Sequence, residues 1–261
     1  MNRIQQLFNT TKANIAYLTA GDGGIEKTFS AAMALIAGGV NLLEIGVPFS
    51  DPIADGPVIQ RAAARALKIG VTLNDILQLT QRLRQHTEIP LILFSYYNPI
   101  LSALQTDFIK QAKNAGIDGV LLVDCPFEEA KGFHHACLQA NIAPIYVVTP
   151  STSLERVKKI SRAGRGFLYY ACQLGTTGIR EKLPEDFIQK ILAIKQASIL
   201  PVVVGFGISN ASMVQQVHQY ADGAVIGSLF VKTLEAGANF SDLESLAQQL
   251  FLNEVKYAIN S

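Results

Sequence analysis

The chain has 261 residues, 49% hydrophobic and only 16% charged, which is enough apolar material for one large core. Its 22 Lys and Arg nearly cancel 21 Asp and Glu, for a formal net charge of +1 with no basic run, so nucleic acid is excluded as a partner. No apolar stretch reaches the about 20 residues that cross a bilayer, and residues 1–8 alternate polar and apolar around Arg3 without the core of a secretory signal, so a cytoplasmic protein with no membrane contact is expected.

A short leading helix is expected over residues 2–8, covering one end of the fold. Strand runs rich in Val, Ile, Leu and Tyr follow at 14–19, 42–47, 91–96, 119–123, 143–148, 166–170, 202–205 and 224–227. Between them, apolar residues recur at helical spacing over 25–37, from Val58 onward, and over 107–115, 128–140, 154–161, 185–197 and 211–220, with a closing helix over 242–259. Gly38-Gly39, Ala115-Gly116, Ala140-Asn141 and Ala163-Gly164 each precede a strand and read as helix caps in the left-handed conformation. Eight strand-helix units averaging about 33 residues suit an α/β fold closed into a (β/α)8 TIM barrel, a single domain over 1–261 with the extra N-terminal helix. An open doubly wound sheet is the alternative, because the repeat does not itself report closure.

Active sites of such barrels form at the C-terminal ends of the strands. In the second strand, Glu44 interrupts an apolar run, and alternation puts it on the face opposite Leu43 and Ile45, pointing into the barrel. Burial raises the pKa of such a carboxyl toward neutrality, where it can give and take protons, although a core glutamate satisfied by a hydroxyl or a water fits the same pattern. The loop that follows holds three prolines and two aspartates, Asp51 and Asp55. Its stiffness can hold a second carboxylate over the site, while turn or helix-capping roles remain open for both.

The run over 43–60, LEIGVPFSDPIADGPVIQ, resembles the signature of the tryptophan synthase alpha subunit family nearly letter for letter, and the likeness covers almost the whole chain. It implies a lyase of tryptophan biosynthesis that splits indole-3-glycerol phosphate to indole and glyceraldehyde 3-phosphate by retro-aldol cleavage, with Glu44 and Asp55 as catalytic carboxylates. It also implies substrate contacts from Tyr17, Phe94, Tyr96, Leu121, Tyr169, Thr177 and Phe206. The phosphate would be held by Gly178, Gly207, Gly227 and Ser228, in glycine turns after the sixth, seventh and eighth strands. Asp51, Asp124 and Pro126 would face a beta subunit in an alpha2-beta2 heterotetramer. This subunit would take no cofactor and no metal, pyridoxal phosphate belonging to the partner. The chain departs from the family at Cys172-Gln173, where Ser-Arg is common, and at Gly23, after Gly21-Asp22 where Gly-Asp-Pro is usual.

Other chemistry finds little support. The turn Gly205-Phe206-Gly207 lacks the third glycine and the acidic residue of a dinucleotide site. No lysine stands in any strand run to form a Schiff base. A different barrel with a related indole or phosphoribosyl substrate should lack the Glu44 and Asp55 loop. A subunit that only binds ligand and activates its partner is the non-enzymatic alternative, which intact Glu44 and Asp55 argue against. Cys125, Cys137 and Cys172 are too irregularly spaced for a disulfide framework or a zinc site and read as reduced thiols. His86, His134, His135 and His218 are expected on solvated helical surface.

Overall fold

A computed structural model describes residues 2–104, 107–172, 182–205 and 207–251. Its eight strands are β1 (Ala13–Thr19), β2 (Leu42–Gly46), β3 (Leu91–Ser95), β4 (Gly119–Leu122), β5 (Ala143–Val148), β6 (Leu168–Ala171), β7 (Val202–Gly205) and β8 (Gly223–Ile226). Each pairs in parallel with its sequence neighbour and β1 pairs with β8, closing the barrel and excluding the open sheet. The helices are α1 (Arg3–Thr10), α2 (Ile25–Ala37), α3 (Pro57–Lys68), α4 (Leu73–Arg84), α5 (Tyr97–Leu104), α6 (Phe108–Asn114), α7 (Lys131–Gln139), α8 (Leu154–Ala163), α9 (Phe187–Ala197), α10 (Ala211–Tyr220), α11 (Ser228–Glu235) and α12 (Phe240–Phe251).

Period-two alternation sorts each strand into two cores. Ile15, Leu42, Ile92, Leu121, Ile145 and Val203 fill the barrel interior, while Leu18, Leu43, Ile45, Leu93, Val148 and Val204 pack outward under the helices. Both faces are dry, which is why these strands read as nearly unbroken apolar runs. Helix α1 plugs the end away from the strands' C-termini. Asn2 caps it by accepting from the Ile4 N–H at 2.8 Å, Ile4 is fully buried, and Phe8 packs on Phe167 with centroids 5.8 Å apart.

Some boundaries shift for local reasons. Gly39, Gly116 and Asn141 adopt positive φ as expected of caps, but Gly164 does not, at φ −60°. The left-handed residue there is Gly166, at φ +78°, so β6 begins at Leu168 rather than 166. Gly227 caps α11 instead of ending β8. The histidine expectation holds only in part. His218 is buried under α10, its Nε2 3.4 Å from the Ala13 carbonyl, and half-buried His134 lies 2.9 Å from the Tyr146 hydroxyl. Imidazole rings on helices that face a barrel pack inward when their register points there. All three cysteines are buried and none is in a disulfide, and burial raises the Cys125 thiol pKa, away from reactivity.

Candidate active site

Register places Glu44 beside Tyr17 of β1 on one side and Ile92 of β3 on the other. With Leu43 and Ile45 committed to the outer core, Glu44 points inward, and it is fully buried. Neither carboxylate oxygen has a hydrogen-bond partner among the described residues. Burial alone pushes its pKa up to about 8, because an uncompensated anion is costly away from water. Glu44 is therefore a protonated acid at neutral pH, poised to give its proton and take one back.

The loop after β2 brings in the second carboxylate. Its start is tied to the sheet by the Val47 N–H donating to the Phe94 carbonyl at 2.8 Å, and Pro57 begins α3 behind it. Asp55 does not cap that helix, since Gly56 takes the N-cap position. Its Oδ2 instead accepts from the Tyr96 hydroxyl at 3.0 Å. The same hydroxyl accepts from the Ala54 N–H at 3.0 Å, and Gln60 holds the Asp55 carbonyl at 2.8 Å. Burial raises the Asp55 pKa and the Tyr96 hydrogen bond lowers it, leaving it at about 6. Tyr96→Phe should strip this anchor and leave the Ala54 amide unsatisfied, a cost of about 1–3 kcal/mol. Its expected result is an Asp55 titration moved upward and roughly tenfold weaker turnover, read from the acid limb of the pH profile. An unmoved limb would remove Tyr96 from this role.

Both carboxylates line one cavity at the C-terminal mouth of the barrel. Its walls include Tyr17, Phe94, Tyr169, Ile59, Ile208 and Val225. Phe94 meets Tyr17 edge-on at 5.2 Å and Tyr169 at 6.4 Å. Tyr169 lies across Gly205 of β7, where any side chain would strike its hydroxyl. Burial, reinforced by the nearby Asp55 and Glu44, keeps both tyrosine hydroxyls protonated.

Gly207, Gly227 and Ser228 line the same cavity. Gly227 and Ser228 are the N-cap and first residue of α11, where backbone N–H groups lack intrahelical partners, a setting favourable to an anion. Gly207 sits at φ +82°, which other residues adopt only under strain.

The remaining expected residues fall elsewhere. Leu121 lies in the inner core outside the cavity lining, and Tyr96 stands behind Asp55 rather than on the wall. Thr177, Gly178 and Phe206 lie outside the described residues. Asp51, Asp124 and Pro126 are exposed. The Asp124 carboxylate accepts from the Tyr97 N–H at 2.7 Å. Ile59, Ile208 and Val225 were not singled out from sequence. Alternation along β8 could have found Val225, and Ile59 sits within the quoted run, whereas nothing local marks Ile208. Among the described residues no group of three or more His, Cys, Asp or Glu could hold a metal ion, and no helix is long and apolar enough to cross a membrane.

Residues 4–260 match the family model described as tryptophan synthase alpha chain. The chain is 55% identical over 250 residues to a tryptophan synthase alpha chain of Coxiella burnetii, covering 96% of this chain and 97% of that one. It is 46% identical to a tryptophan synthase alpha chain of Chlamydia felis, with 96% and 98% covered. Among solved structures it is similar to tryptophan synthase subunit alpha of Legionella pneumophila, with a TM-score of 0.87, 37% identity, and 96% and 97% of the chains covered. A tryptophan synthase structure from Mycobacterium tuberculosis superposes with a TM-score of 0.88 at 30% identity, covering 95% and 96%.

Proposed function

Since the chain belongs to the tryptophan synthase alpha chain family, we propose that its cavity carries out a lyase step of tryptophan biosynthesis, the retro-aldol cleavage of indole-3-glycerol phosphate, with Glu44 and Asp55 as its working groups. The observation that supports this most is the pairing of two buried carboxyls of unequal acidity on one aromatic cavity. Protonated Glu44 gives its proton to C3 of the indole. Ionised Asp55 accepts from the ring N–H and stabilises the positive charge that develops there. The Glu44 carboxylate then takes the proton of the side-chain hydroxyl, and the bond from C3 to the hydroxyl-bearing carbon breaks. Its electron pair returns to the ring, so indole leaves neutral, the carbonyl of glyceraldehyde 3-phosphate forms, and Glu44 regains its proton.

Tyr17, Phe94 and Tyr169 would bracket the indole, and Tyr96 would serve it by fixing Asp55. The start of α11 together with Gly207 would take the phosphate, with Thr177, Gly178 and Phe206 proposed to complete that end. The chemistry asks nothing of a cofactor on this subunit. The product indole is apolar and passes to a beta subunit carrying pyridoxal phosphate, in an alpha2-beta2 assembly in the cytoplasm. Exposed Asp51, Asp124 and Pro126 would face that partner, beside Ile53, which is 76% exposed.

Indole release from indole-3-glycerol phosphate by the chain with a beta subunit is the direct test, and no release at any pH would overturn the assignment. The rate should also be bell-shaped in pH. It rises as Asp55 ionises near 6 and falls as Glu44 loses its proton near 8, so kcat/KM should peak close to 7. A profile flat from 5 to 9 would separate these two groups from the chemistry.

A further inference from the structure

Gly46 is the last residue of β2, an inward position two residues beyond Glu44 and in register with Thr19 of β1. Its backbone is ordinary strand without a positive φ, so conformational freedom does not explain a glycine here. Space does. Tyr17 starts level with Glu44, and its ring leans along the barrel wall until the hydroxyl end fills the place where a side chain at 46 would begin. A Cβ there would clash with the Tyr17 hydroxyl oxygen and Cζ and stand 2.6 Å from Cε2.

The ring cannot retreat from such a Cβ along the wall. Phe94 holds it edge-on at 5.2 Å, and Ile59, Ala62 and Val231 pack with it in a small cluster of their own. Its hydroxyl reaches Thr19 Oγ1 at 3.4 Å. The open side is the cavity, which Tyr17 already walls.

We infer that Gly46 is a positioning residue for the cleavage: it seats the Tyr17 ring against β2 and so keeps the space in front of Glu44 and Asp55 clear for the substrate's ring. This rests on the function proposed above. Gly46 touches no substrate and acts through Tyr17. Any side chain at 46 pushes that ring into the volume the indole needs.

The test is a double-mutant cycle of Gly46→Ala and Tyr17→Ala, with indole-3-glycerol phosphate cleavage measured in the presence of the beta subunit. Gly46→Ala alone should raise KM by about tenfold or more, with kcat changed less, because overpacking at this site competes with binding. In the Tyr17→Ala background the same change should alter KM by less than about twofold. Equal KM effects in both backgrounds, or a wild-type KM for Gly46→Ala, would overturn the inference. If Gly46→Ala alone does not fold, the double variant decides: a folded protein with the KM of Tyr17→Ala supports it, and an unfolded one refutes it. Wild-type protein that releases no indole would instead sink the functional assignment, a result visible before any variant is made.

Discussion

Glu44→Gln and Asp55→Asn should each lower cleavage of indole-3-glycerol phosphate by about 10²-fold to 10⁴-fold while leaving the barrel folded. Both replacements keep the shape of the side chain and remove only its proton chemistry. The amide of Glu44→Gln can neither protonate C3 nor accept the hydroxyl proton, so the loss should fall on kcat. In Asp55→Asn the amide oxygen can still accept from the Tyr96 hydroxyl, so the loop should hold its position. What disappears is the negative charge opposite the ring nitrogen, and in a site this dry that charge is screened little. Steady-state kinetics with the beta subunit present is the measurement. Turnover within tenfold of wild type in either variant would remove that residue from the mechanism.

The same burial that tunes Glu44 should make the protein less stable at high pH. Its carboxyl has a pKa raised from 4.5 to about 8 in the folded chain, so the native state holds this proton more tightly than the unfolded state does. The resulting stabilisation is complete below pH 4.5, declines as pH rises through the window to 8, and is gone above it. Asp55 adds a smaller contribution of the same sign between 3.8 and about 6. Glu44→Gln cannot ionise, so its melting temperature relative to wild type should climb across that window and level off above pH 8. A gap that opens by a few kcal/mol corresponds to several degrees in a domain this size. Parallel melting curves from pH 4.5 to 9 would mean that Glu44 ionises without penalty, and the proposed acid would lose its physical basis.

Much of this was legible because strand alternation is a strict rule. Leu43 and Ile45 had to share a face, so Glu44 had to take the other, and a closed barrel makes that face the interior. The run from 43 to 60 then named the second acid. What stayed hidden depends on contacts distant in sequence. Tyr96 could be named as part of the site, but its bond to Asp55 joins residues 41 apart and redefines it as a support behind the cavity. The burial of His218 depends on which way α10 rolls against the barrel, which helical spacing does not report, so the expectation of solvated surface failed there. Gly164 was the expected cap and residue 166 the expected strand start, and only the path of the chain moves the left-handed residue to Gly166.

Barrel closure has a consequence for how the chain is made. Strand β1 donates and accepts along both of its edges, one to β2 and the other to β8, whose residues begin at Gly223. During synthesis one of those edges must therefore wait for more than two hundred residues before its mate leaves the ribosome. Until then the growing sheet carries two raw borders that any other extended segment can join. A chain interrupted before Gly223 keeps both of them, which makes the final seventh or so of the polypeptide the part that stops the nascent protein from sticking to its neighbours.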